Sequence, residues 1–164
     1  MRLNECIVVS ARPQMVWDFI TEPSNALNYF AGITRWEVEG EKRTGLGARY
    51  RMLMRVGAAE MGGLVEVVEF TEPLDMAWSS LTGVDQRGRW RLRKAGGGRT
   101  KVEFRFAYGV AGAGILGYIS ERVSAPSVRR HLRRTLQQLK REVEREQQRE
   151  DAARRKAERE AATA

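Results

Sequence analysis

Residues 126–143, PSVRRHLRRTLQQLKREV, decide how this chain is organised. Val128, Leu132, Leu136, Leu139 and Val143 recur at steps of four and three, which sets them on one face of an α-helix. Arg129, Arg130, Arg133, Arg134, Lys140 and Arg141 fall on the opposite face. Pro126 stands where a first-turn proline is tolerated, with Ser124 or Ala125 at the cap. The stripe ends at Val143, because the next positions on that face are Glu146, Gln147 and Glu150. Such a helix has one side to bury, and the strand-rich sequence before it supplies the sheet.

The cleanest of those strands is TKVEFRFAYG (100–109), with Val102, Phe104, Phe106 and Tyr108 alternating against Lys101, Glu103, Arg105 and Ala107. RGRWRLRKAG (87–96) and MAWSSLTG (76–83) precede it, joined through the turns GVDQRG and AGGG. GLVEVVEF (63–70) is apolar on both faces apart from Glu66 and Glu69. ARYRMLMRV (48–56) sets Tyr50, Met52, Met54 and Val56 on one side, and ITRWEVEG (33–40) alternates through Trp36 and Val38. The turns are too short for crossovers, so the strands are expected to pair antiparallel. Before them come a first strand at Asn4–Val9 and two short helices, SARPQMVWDFI and TEPSNALNYF. The reading is therefore α+β: a curved antiparallel sheet of seven strands, two short helices after the first strand, and a long terminal helix.

Residues 112–123 carry a second helical stripe, Ile115, Leu116, Ile119 and Val123, about opposite in phase to that of 126–143. One straight helix cannot aim both at the same sheet. A break or strong kink at Ser124–Pro126 would restore the phase; the alternative is an exposed patch that pairs with another chain. Beyond Val143 the sequence favours helix through pairs such as Glu150–Arg154 and Lys156–Glu160, but carries no apolar stripe. The domain is accordingly placed at 1–145, with 146–164 a charged helical extension that frays.

The 164 residues suffice for one domain with a core, and the net charge is +8. From Glu144 onward six basic side chains balance six acidic ones, so the excess lies before it. Eight basic residues between Arg87 and Arg105 face only Glu103. A solvated outer face is the favoured explanation, and an anionic membrane surface or an acidic protein is an open alternative. Nucleic acid is not expected, since no known module is present and the arginines are not interleaved with exposed aromatics. The opening MRLNECIVV lacks the basic start, long apolar run and cleavage site of a signal peptide, and a cytoplasmic location is expected. Cys6, the only cysteine, reads as a small core residue rather than a nucleophile.

Gly112, Gly114 and Gly117 have the spacing of a dinucleotide-binding loop, but no further strand follows to complete a βαβ unit. They read instead as a turn leaving the sheet, and no cofactor is expected. His131 is the only histidine, among arginines, and reads as a surface or boundary residue. No metal site is expected either, because zinc needs several His or Cys ligands. Glu66, Glu69 and Asp85 could stand near a cavity or pair outward with arginines. The remaining feature is an apolar inner face. Tyr50, Met52, Met54, Met76, Trp78, Ser80, Trp90, Phe104, Phe106 and Tyr108 would converge under the helix. That composition suits an apolar ligand pocket and an ordinary core alike.

The run SARPQMVWDFITEP after a first strand, WEVEG followed by RTGLGARY, VVEFTEPLDMAW, and the terminal helix after seven strands resemble the START-like superfamily. That superfamily is also known as the SRPBCC or Bet v 1-like helix-grip fold, and the likeness is to its bacterial polyketide cyclase/dehydrase and lipid-transport branch. It covers about residues 3–143. The resemblance implies a hydrophobic cavity between the sheet and the terminal helix, and binding or carriage of a lipid, polyketide or isoprenoid. Candidate ligand-binding residues are Tyr29, Phe30, Tyr50, Met52, Met54, Trp78, Ser80, Trp90, Phe104, Phe106, Tyr108, Tyr118 and Ile119. A cyclase or aromatase is the alternative, using tyrosine hydroxyls with Glu66 pointing inward beside Tyr50 or Tyr108. The reading leans away from catalysis, because no histidine is expected inside. Either a monomer or a homodimer is compatible with it. The mouth of the cavity is expected at the glycine-rich run 109–117 and the segment after it, facing Leu27–Phe30.

Overall fold

Strand β7 (Thr100–Gly109) buries Thr100, Val102, Phe104, Phe106 and Tyr108 and leaves Lys101 and Arg105 in solvent, as its alternation requires. In this computed structural model the remaining elements run in the order β1 (Arg2–Val9), α1 (Pro13–Thr21), a 3-10 turn (Pro23–Asn25), α2 (Ala26–Tyr29), β2 (Ile33–Glu39), β3 (Arg49–Val56), β4 (Ala59–Thr71), β5 (Asp75–Ser80) and β6 (Asp85–Lys94), and β7 is followed by α3 (Gly114–Thr163). The structure describes residues 2–56, 58–109 and 114–163, without the side chains of Val56 and 114–125. The seven strands form one antiparallel sheet in the order β1-β7-β6-β5-β4-β3-β2. No described helix is long and apolar enough to cross a membrane.

Helix α3 lies across the sheet through its stripe: Val128, Leu132, Leu136, Leu139 and Val143 are at most 2% exposed. Burying each such side chain contributes about 1.5–3 kcal/mol. Thr135 falls within the buried face, where its hydroxyl accepts a hydrogen bond from the Ala31 N–H at 3.0 Å. That bond ties the end of α2 to α3. Beyond Val143 the helix continues to Thr163, and Glu144, Gln147 and Glu150 bind the Ser10–Arg12 turn.

Two expectations need correction. The helix is not broken at Ser124–Pro126: it is continuous from Gly114, and Pro126 lies inside it. Proline costs one backbone hydrogen bond and crowds the preceding turn, and a long helix tolerates that. How the stripe at Ile115–Val123 is oriented lies outside the described side chains. Cys6 is exposed rather than in the core. Its neighbours on the inner face of β1 are Glu5 and Ile7, so strand alternation turns Cys6 outward. Over residues 63–70, strand β4 is apolar on both faces apart from Glu66 and Glu69, and carries one irregularity. A bulge between Val67 and Glu69 leaves Val68 52% exposed, turns Glu69 outward, and returns Phe70 to the inner face.

Candidate functional site

Between sheet and α3 the first thing met is a block of rings. Trp90 stacks on Phe104 across β6 and β7, with centroids 4.1 Å apart and planes 13° from parallel. Phe30 lies against Tyr29 at 4.8 Å, Trp36 at 5.4 Å, and both Trp90 and Phe104 at 5.7 Å. Trp36 in turn stacks on Tyr50 at 5.0 Å. This block fills the middle of the interior with solid packing.

Two small voids adjoin it. One, of about 20 Å³, is lined by Met52, Met54, Met61, Gly62, Val84, Gln86, Phe106, Tyr108 and Val128. The other, of about 10 Å³, lies beside Phe30, Trp36, Trp78, Phe104, His131, Leu132 and Thr135, and shares Met52, Met54 and Phe106 with the first. Each is of the order of a single water site. Among the described residues, then, the interior holds no ready-made chamber for a lipid or polyketide.

The expected site residues divide accordingly. Met52, Met54, Phe106 and Tyr108 line the first void, and Phe30, Trp78 and Phe104 the second. Tyr29, Tyr50, Ser80 and Trp90 line neither. The fully buried Tyr29 hydroxyl donates to the Ile20 carbonyl at 3.1 Å, and burial pushes its pKa far up. The Tyr50 hydroxyl donates to the Arg43 carbonyl at 2.8 Å; burial raises its pKa, opposed by Thr44 and Arg43. Ser80 Oγ accepts from the Gln86 N–H at 3.1 Å. Tyr118 and Ile119 lie outside the described side chains, as does most of the expected mouth.

Glu66 cannot serve as an interior base. It pairs with Arg49 at 2.7 Å on the outer face, opposite in alternation to its inward neighbours Val65 and Val67. The arginine-rich strands are likewise paired outward. Arg89 holds Glu69 through two hydrogen bonds, of 2.9 and 2.5 Å, and Arg91 and Arg93 hold Asp75 at 3.0 and 2.8 Å. A depression of about 780 Å³ on that outer face is flanked by Arg89 and Arg105, already paired with Glu69 and Glu103.

One interior residue was missed in the sequence. Gln86 is 3% exposed and lines the first void, because β6 begins at Asp85, two residues earlier than read. Carrying the Trp90–Gly88 alternation back one step would have found it. His131 stands at the boundary expected of it: it is half-buried, lines the second void, and its Nδ1 is buried with no partner among the described residues. Burial, then Arg134 and Arg130, hold its pKa below the ordinary imidazole value. The indole N–H groups of Trp78 and Trp90 are also buried with no acceptor among the described residues.

The fold is shared with known structures. Protein TTHA0849 from Thermus thermophilus superposes with a TM-score of 0.75 at 18% identity, over 87% of this chain and 97% of that one. The Zhui aromatase/cyclase from Streptomyces sp. R1128 gives 0.71 at 21% identity, over 88% and 94%. DR_A0006 from Deinococcus radiodurans gives 0.65 at 17%, over 88% and 98%. No curated protein matches the chain. The family described as polyketide cyclase / dehydrase and lipid transport matches residues 2–144. With its seven-stranded antiparallel sheet, two short helices and long terminal helix, the chain belongs to that family, within the SRPBCC or Bet v 1-like superfamily.

Proposed function

We propose that the protein binds an apolar small molecule, a lipid, polyketide or isoprenoid, between sheet and α3. Its body would occupy the methionine-lined void. The observation that supports this best is the chemistry around the two voids. Met52, Met54 and Met61 are unbranched and repack at low cost, so a void of this size can widen without breaking the sheet. Polar residues line the two voids in small number, among them Gln86 on the first and, on the second, Trp78, whose buried indole N–H has no acceptor among the described residues. Few polar groups on apolar walls orient a ligand in sites of this kind. An unpaired buried donor costs about 1–3 kcal/mol, which a ligand carbonyl at Trp78 would recover.

Binding is measured by titrating the full chain with long-chain alcohols and following tryptophan emission, with native mass spectrometry as a second readout. Val84→Phe fills the first void from its half-exposed rim with little strain on the core. That variant should lose most of the binding while keeping its melting temperature. Equal binding by Val84→Phe and the parent chain would remove the first void from the site.

A further inference from the structure

On the other side of His131 from the interior lies a second pocket, of about 440 Å³, open to solvent. Ser127, Arg130, His131 and Arg134 line it from α3, at the i, i+3, i+4 and i+7 spacing of one helical stripe. Arg55 of β3 and the backbone of Ala31 and Gly32 close it. No carboxylate lines it among the described residues, and Arg55 is itself paired with Glu60 at 3.2 Å. Arg129 and Arg133, one position earlier on the helix, share Glu5, whereas Arg130 and Arg134 have no ion-pair partner among the described residues. Like charges at i and i+4 repel, so this pair weakens the helix unless an anion lies between them.

The second observation is His131 itself. It lines this basic pocket and the interior void alike, as does Ala31, so the two spaces meet there. Its Nδ1 is buried with no partner among the described residues. The ring is seated against Gly32, where a Cβ would come within 2.7 Å of it, and the φ of +84° there favours glycine. The backbone is thus shaped to hold an imidazole at the junction of a cationic pocket and an apolar one.

We propose that Arg55, Arg130, His131 and Arg134 form a subsite for an oxyanion, a phosphate monoester or carboxylate, carried at one end of the apolar ligand. This rests on the apolar site proposed above. Arginine is suited to the task because its planar donors engage two oxygens at once.

The test titrates the full chain with decyl phosphate, decanoate, decanol and inorganic phosphate, each amphiphile below its micellar concentration. The acids should bind at least about tenfold more tightly than decanol, and the stronger of the two identifies the head group. Arg130→Gln combined with Arg134→Gln should bring acid and alcohol to within about twofold, leaving decanol affinity unchanged. Arg141→Gln, an exposed arginine on another face of the same helix, should retain the preference. Acid and alcohol binding alike, or a double variant that keeps the preference, overturns the subsite and leaves the apolar site standing. Inorganic phosphate binding with no uptake of decanol or the acids overturns both the apolar site and the proposal that joins them. Attachment only to phosphatidic acid vesicles, with no binding of monomeric decyl phosphate, overturns the subsite in favour of surface adsorption.

Discussion

The indole of Trp78 lies over Gly88, its cross-strand partner, so closely that a Cβ at position 88 would be 2.0 Å from Cζ2 of the ring. The glycine is therefore a seat for the tryptophan. It sets how far the ring leans back from the second void, which Trp78 lines. Gly88→Ala should force the ring off its seat and cost about 1–3 kcal/mol, the usual range for overpacking. Urea unfolding checks the cost, and tryptophan emission reports the ring's displacement. An alanine variant with the parent midpoint and spectrum would mean that the ring has room to retreat.

Asp75 anchors the outer face. Burial by itself would raise its pKa, but hydrogen bonds from Arg91 and Arg93 outweigh it and hold the carboxyl below its ordinary value of 3.8. A carboxyl lowered in the folded state contributes stability above that ordinary value and loses it as pH falls through the folded one. Asp75→Asn should lower stability at pH 7 by about 1–3 kcal/mol, the range for a hydrogen bond to a charged partner. The gap between variant and parent should narrow below pH 4, where the parent begins to protonate. A gap that stays constant to pH 2.5 would show that the asparagine is lost for packing reasons, with no contribution from charge.

Helix α3 separates core from surface along one sequence. Leu139 is fully buried and Arg141 fully on the solvent side of the same turn. Leu139→Ala should cost about 2–5 kcal/mol through lost burial and the cavity left behind. Deleting residues 152–163, all exposed, should cost under about 0.5 kcal/mol, since nothing buried is removed. Thermal unfolding of both separates the two contributions. A tail deletion as costly as the leucine truncation would place the terminal turns inside the cooperative unit.

These contrasts also mark what the sequence could reveal. Alternation in β7 and the stripe from Val128 to Val143 identify sheet, helix and buried face directly, because each period has one mechanical meaning. Glu66 was ambiguous for a physical reason: a carboxylate in an apolar strand is the same letter facing in or out, and only the register against Arg49 decides. Glu5 shows the reverse, a charged residue on the inner side of edge strand β1 that reaches Arg129 and Arg133 at the rim of α3. The boundary position of His131 was legible but its seat was not, since that depends on Gly32 lying across from it, 99 positions away in the chain. Void volume is not periodic. The rings that fill the interior and those that would wall a chamber are the same residues.

The last prediction concerns that histidine. His131 faces Arg130 and Arg134 on its own helix and Arg55 across the pocket, with no carboxylate among the described residues lining the same space. Burial first, then Arg134 and Arg130, favour the neutral imidazole, so its folded pKa lies below the ordinary 6.5. The unfolded chain then binds the proton more readily than the folded one, and stability must fall as pH drops through 6.5 toward the folded value. His131→Gln removes that term and should flatten the stability curve between pH 7.5 and 5, measured by urea midpoints. An anion in the pocket reverses the balance, because it favours the charged imidazole. Decyl sulfate keeps its charge over this range, so its binding should tighten as pH falls in the parent chain and change far less in His131→Gln. A parent chain whose decyl sulfate affinity is the same at pH 7.5 and pH 5 would place the anion away from His131.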